Sequence, residues 1–71
     1  MAKISKKAMK TIAKELSVCK GKANAVAEKE LQEYFNGKVY SIIDTVGMVL
    51  GLTWSEAYVM MQDEIEKLKR N

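Results

Sequence analysis

Lysine is the residue type that dominates the chemistry of this sequence. Seven of the first 22 residues are lysines, against one acid, Glu15. Residues 1–38 carry nine lysines and four glutamates, a net charge of +5, whereas residues 39–71 carry three basic and five acidic groups, a net charge of −2. A basic region on a small domain is typical of a surface that binds a polyanion. A solvated, solubilising face is the alternative explanation of the same charge.

Residues suited to catalysis or metal binding are scarce. The chain has no histidine, the commonest metal ligand and general base, and one cysteine, which excludes an intramolecular disulfide and a CxxC motif. Cys19 stands near Lys14, Lys20 and Lys22, which would lower its pKa and make the thiol reactive. We favour the alternative, a buried structural cysteine. No phosphate loop, carboxylate pair or nucleophile triad is visible, so the sequence predicts neither an enzyme nor a cofactor or metal site.

Length and composition predict one small helical domain covering residues 1–71. The chain is 48% hydrophobic and 30% charged, with no proline and four glycines, a composition that favours long helices over strands and turns. A chain of this size buries only about 60% of the surface that it exposes when unfolded, so its stability is expected to be marginal without a partner.

The sequence also predicts a cytoplasmic location. The lysine-rich N-terminus lacks the apolar run of a signal peptide. The most apolar segment, residues 39–52, is too short to span a bilayer and contains Asp44.

Apolar residues three and four positions apart predict a compact bundle of three to four helices, at about 5–16, 20–36, 39–50 and 54–70. Ser5 is the expected N-cap of the first helix, residues 17–21 form a turn, and Asn36-Gly37 ends the second helix. An alternative is one helix over 5–36, because Gly21 inside a helix costs only about 1 kcal/mol relative to alanine.

The last helix has the clearest signals. Gly51 is expected to end the preceding helix, and Thr53 and Glu56 have the spacing of a capping box. The expected inward stripe follows: Trp54, Ala57, Tyr58, Met61, Ile65 and Leu68. The pair Trp54 and Tyr58 is interpreted as core, with an exposed binding anchor as the alternative.

Residues 9–28 resemble the helix-turn-helix transcriptional regulators of bacteria and their phages. The resemblance is carried by apolar anchors and a small crossing residue, which are Ile12, Ala13, Leu16, Val18, Ala23 and Val26. It implies a small DNA-binding regulator, phage- or plasmid-encoded, whose second helix enters the major groove. It also implies base contacts from Lys20, Lys22 and Asn24, and phosphate contacts from Lys6, Lys7, Lys10 and Lys14.

A second copy of the pattern is expected at residues 43–62, in Gly47, Leu50, Gly51, Leu52, Thr53, Ala57 and Met60. Its turn glycine and cap fit the motif better than Ser17 and Cys19 do in the first copy. Its helix is acidic, however, with Glu56, Asp63 and Glu64. We therefore expect the first hairpin to contact double-stranded DNA and residues 39–70 to form the core and a homodimer interface.

The alternative function is a protein-binding helical module, such as an inhibitor or adaptor encoded by a phage or plasmid. In this hypothesis the apolar third and fourth predicted helices dock on a larger protein. A contiguous exposed patch would favour it, formed by Val39, Tyr40, Ile43, Met48 and Met60.

Overall fold

The computed structural model describes residues 3–70 and consists, over that range, of three α-helices. Helix α1 spans Lys6–Ala25, α2 spans Lys29–Leu50 and α3 spans Trp54–Lys69. Each helix packs against the other two. The predicted all-α class is confirmed, whereas the division into four helices is wrong. Residues 1, 2 and 71, which the single-domain prediction also included, lie outside the described range.

The turn predicted at residues 17–21 does not form, because α1 continues through it. Leu16, Cys19 and Ala23 are all buried and extend the apolar face of α1 across the predicted turn. A Cβ at Gly21 would meet nothing within 4 Å, so this glycine costs only its intrinsic helix penalty of about 1 kcal/mol. The alternative of one continuous helix is therefore right as far as residue 25.

The chain instead reverses at residues 26–28, inside the second predicted helix. Val26 has an extended backbone, with φ −84° and ψ 140°, and its N–H donates to the carbonyl of Lys22. The carbonyl of Val26 accepts a hydrogen bond of 2.8 Å from the Gln32 side chain. Glu28 is the N-cap residue of α2 and makes no side-chain capping bond. No glycine, proline or capping side chain marks this reversal in the sequence.

The stop predicted at Asn36-Gly37 is also wrong, because α2 runs through both residues. Gly37 keeps a negative φ and has open space around its Cβ position. Helix α2 therefore joins most of the second predicted helix to the third. Leu31 and Tyr34 lie exposed on the surface of this helix.

Helix α2 ends at the predicted glycine, and a three-residue turn follows. Gly51 is left-handed, with φ 71° and ψ 31°, a conformation that favours glycine. The N–H groups of Gly51 and Leu52 both donate to the carbonyl of Gly47. Thr53 and Glu56 form the predicted capping box at the start of α3. This turn is well specified by the sequence.

All three helices contribute to one hydrophobic core. Its buried members are Ala13, Leu16, Ile43, Val46, Ala57, Met61 and Ile65. Trp54 and Leu68, at the two ends of the stripe predicted for the last helix, are partly buried against this core. The core thus uses most of the apolar side chains that the sequence offered for a homodimer interface in residues 39–70.

Candidate nucleic-acid interface

The four lysines predicted to contact phosphate lie on the outer surface of α1. Lys6, Lys7, Lys10 and Lys14 are exposed, and their spacing of three and four residues places them toward one side of the helix. The ion pairs found in residues 3–70 all lie within α3 and leave these lysines unneutralised. Over its length α1 carries six lysines against Glu15. The result is a basic strip, Lys6–Lys14, on the exposed surface of α1.

The other three predicted DNA contacts do not lie on a separate recognition helix. Lys20, Lys22 and Asn24 belong to the last turns of α1, because the turn at 17–21 is not formed. The ammonium of Lys22 lies 5.7 Å from the centre of the Phe35 ring. Asn24 is exposed. The helix-turn-helix geometry expected for residues 9–28 is therefore wrong, whereas contact of these residues with DNA stays a prediction.

Helix α1 runs along one side of α3 in the opposite direction. Near the middle of α3, the Lys20 ammonium donates a hydrogen bond of 3.1 Å to Gln62 and lies 5.8 Å from the centre of the Tyr58 ring. Near its end, α1 and α3 enclose a surface groove of about 430 Å³, lined by Ile4, Lys6, Met9, Lys10, Glu64, Lys67 and Leu68. Lysines of α1 thus lie beside the middle and the end of α3.

Helices α2 and α3 lie close together at Gly47. A Cβ at this position would lie 3.0 Å from the carbonyl oxygen of Leu52 and 3.5 Å from the Cβ of Ala57. The missing side chain lets the turn and the first part of α3 pack directly on the α2 backbone. Gly47, Gly51 and Thr53 therefore allow α3 to pack against α2 after a short turn.

Three aromatic rings reinforce the contact between α2 and α3. Trp54 is stacked on Tyr40 with ring centres 5.1 Å apart and on Tyr58 at 5.3 Å. The indole N–H of Trp54 donates to the carbonyl of Tyr40 at 3.4 Å. Trp54 is partly buried against the core, whereas Tyr58 is exposed, so the interpretation of the pair as core holds in part for Trp54 and is wrong for Tyr58. The role of Tyr40 was missed because its partner lies 14 residues away, beyond the turn.

The acidic groups of α3 are unevenly distributed along the helix. Its first nine residues contain one acid, Glu56, whose pKa is lowered by hydrogen bonds from the backbone N–H and then the side chain of Thr53. The other three acids follow at Asp63, Glu64 and Glu66, within reach of Lys67 and Lys69. The hydrogen bond to Glu64 is the main reason that the pKa of Lys67 is raised. Negative charge is therefore concentrated in the second half of α3.

Two exposed side chains on the outward face of α3 were missed from the sequence. Ser55 and Val59 are one helical turn apart, and Val59 is 67% exposed. An apolar residue at position 59, between Tyr58 and Met60 and off the inward stripe, was the signal available. Together with Tyr58 and Gln62, these residues form the accessible surface of the first half of α3.

Cys19 is a buried thiol. Only 2% of the residue is exposed, and its Sγ lies 3.7 Å from a carboxylate oxygen of Glu15. Burial, and then the nearby Glu15 charge, raise the pKa of this thiol, although Lys38 and Lys22 act in the opposite direction. A raised pKa keeps the thiol protonated and unreactive. The reactive-cysteine alternative required a lowered pKa and is therefore wrong.

The apolar patch proposed for a protein partner does not form as expected. Ile43 is a core residue, and Val39 and Met60 are partly buried against the core. Tyr40 and Met48 are exposed, at 58% and 77%. Two of the five predicted residues therefore remain available to a partner.

No family model, curated protein or solved structure matches this chain. Among residues 3–70, none of the helices combines the length and apolar character needed to cross a membrane. Over the same range, no three cysteine, aspartate or glutamate side chains are grouped to hold a metal ion.

Proposed function

We propose that this protein binds double-stranded DNA as a small transcriptional regulator, with α2, the turn at residues 51–53 and α3 acting as a helix-turn-helix. The observation that carries the proposal is the position of the α1 lysines along one side of α3. This arrangement places the most basic helix of the chain beside the helix that follows its best-formed turn. The sequence suggested these two features for different hairpins.

The dimensions of duplex DNA suit this arrangement. The major groove is about 12 Å wide and admits one helix. Packed helices lie about 8–10 Å apart, so a helix beside the one in the groove is level with the bordering phosphates. With α3 in the groove, the basic strip Lys6–Lys14 is the surface that would meet the phosphate backbone. Lysine–phosphate contacts fix the position of a protein on the duplex without reading sequence.

The distribution of acids selects the first half of α3 as the part that enters the groove. Glu56 reaches back to the backbone N–H of Thr53 at 2.9 Å, so its carboxylate is held at the helix start. The acids at positions 63, 64 and 66 lie in the second half, where they would repel phosphate. In recognition helices of this kind, the N-terminal residues contact the bases.

A salt titration tests the proposal. Affinity for a short mixed-sequence duplex is measured by fluorescence anisotropy between about 50 and 200 mM salt. If the four lysines of the basic strip each neutralise a phosphate, log affinity falls against log salt with a slope of about −3.6. No binding at the low-salt end overturns the proposal.

Paired lysine substitutions locate the contact. The double variant Lys6→Gln/Lys10→Gln removes two phosphate contacts, so the slope should become less steep by about 1.8. The matched control is Lys29→Gln/Lys38→Gln, which removes the same charge from α2. Equal effects of the two variants would show that net charge, rather than the basic strip, governs binding.

A protein partner is the second candidate function, and the exposure of Met48 favours it. Methionine is flexible and is common on surfaces that adapt to several partners. Met48 is the most exposed of the large apolar side chains in the described part of the chain. Loss of a co-purifying protein partner in Met48→Lys, combined with absent DNA binding, would favour this function.

A further inference from the structure

Val59 occupies an energetically unfavourable position for an apolar residue. It lies on the outward face of α3, 67% exposed, while Ala57 and Met61 on the opposite face are buried in the core. Valine also has a lower helix propensity than most residues, because its branched side chain loses rotamer freedom. Neither core packing nor helix formation accounts for a valine at this position.

The polar neighbours of Val59 are largely occupied. The amide of Gln62 donates to the Tyr58 hydroxyl at 2.9 Å and accepts from Lys20 at 3.1 Å. Both polar ends of the Gln62 side chain therefore have partners within the protein. Glu56 and Tyr58 are also exposed, but the Glu56 carboxylate accepts from the Thr53 N–H and the Tyr58 hydroxyl accepts from Gln62. Ser55 and Val59 are the other exposed side chains of the first half of α3.

The major groove offers one apolar group among its base edges, the C5-methyl group of thymine. We infer that Val59 contacts this methyl group and gives the protein a preference for thymine-containing sites. The inference rests on the proposed DNA-binding function and adds the base that α3 recognises. Ser55, one turn earlier, can donate to or accept from either base pair and therefore adds little discrimination.

Replacing thymine by deoxyuridine tests the contact, because it removes the methyl group and leaves the pairing edges unchanged. The same mixed-sequence duplex is prepared with all thymines or all deoxyuridines, and the dissociation constants are compared at low salt. Burying one methyl-sized group is worth about 0.8 kcal/mol, so the wild-type protein should bind the deoxyuridine duplex about fourfold more weakly.

Two variants assign the effect to Val59. Val59→Ala should bind both duplexes equally, at about the affinity that the wild-type protein shows for the deoxyuridine duplex. Val49→Ala, which shortens an exposed valine of α2, should keep the full thymine preference. Circular dichroism and thermal melting establish that both variants fold.

The outcomes separate this inference from the proposed function. Equal wild-type affinity for both duplexes overturns the thymine contact and leaves DNA binding intact. A thymine preference that persists in Val59→Ala also overturns it, since another residue must then contact the methyl group. Absence of binding to either duplex overturns the proposed function itself.

Discussion

Gly47 sets the distance between α2 and α3 because a side chain there has no room. Its Cβ position lies 3.0 Å from a backbone carbonyl, which cannot rotate away as a side chain could. Gly37 occupies an interior position of the same helix and has open space around it. Substitutions at these two positions therefore distinguish the cost of crowding from the intrinsic helix penalty of glycine.

We predict opposite effects of alanine at these two positions. Gly47→Ala should lower the free energy of unfolding by about 1–2 kcal/mol, because overpacking outweighs the gain in helix propensity. Gly37→Ala should raise it by about 0.5–1 kcal/mol, since alanine is the better helix former. Urea denaturation followed by circular dichroism measures both values. A Gly47→Ala variant more stable than the wild type would contradict the close crossing.

At the scale of the elements, the capping box makes the start of α3 sensitive to pH. The folded pKa of Glu56 lies below its ordinary value of 4.5, because the charged carboxylate accepts the hydrogen bond from Thr53. Its stabilising contribution is therefore present above that ordinary value and is lost as the pH falls through the lowered folded pKa. Protonation would weaken one of the two reciprocal bonds that fix the turn.

Glu56→Gln should therefore reduce the acid sensitivity of the protein. At neutral pH the variant should melt below the wild type, because a neutral amide is a weaker acceptor than a carboxylate. The difference should close as the pH falls through the lowered folded pKa of Glu56, below which the wild-type carboxyl is also neutral. Glu33→Gln, an exposed residue of α2, controls for the loss of one carboxylate. A constant difference in melting temperature at all pH values would contradict the prediction.

The helix boundaries show what local sequence signals can decide here. Gly51, Thr53 and Glu56 act through neighbours within five residues, and the turn that they form is the one predicted. Gly21 and Gly37 are weak helix breakers whose cost of about 1 kcal/mol is exceeded by burial of the apolar face. The reversal at Val26 depends on antiparallel packing of α1 and α2, which no nearby residue signals.

At the scale of the whole molecule, the candidate site depends on contacts between distant segments. The basic strip, the turn glycine Gly51 and the capping box of Thr53 and Glu56 could be predicted from their residue types and spacing. Their combination could not, because Lys20 meets Gln62 from 42 positions away. Because α1 is unbroken, Lys20, Lys22 and Asn24 belong to the end of α1, which packs beside α3, and not to a separate recognition helix. Lysines of α1 therefore lie beside α3, with Lys20 near Gln62 and with Lys6 and Lys10 near the end of the helix.

Small size links the stability of the whole molecule to binding. A ligand that binds only the folded state stabilises it by about 2.7 kcal/mol when its concentration is 100 times the dissociation constant. For a chain of this length, 1 kcal/mol changes the melting temperature by about 4–8 °C. Saturating duplex at low salt should therefore raise the melting temperature by roughly 10–20 °C.

The salt dependence of this increase distinguishes DNA binding from general stabilisation. Raising the salt concentration weakens phosphate contacts, so the duplex-induced increase should shrink while the melting temperature without DNA changes little. Lys6→Gln/Lys10→Gln should show a smaller increase than the wild type, and Lys29→Gln/Lys38→Gln the same increase. Differential scanning fluorimetry measures all of these values. A melting temperature unaffected by duplex at low salt would contradict the assignment of the basic strip to phosphate, because binding to the folded state must stabilise it.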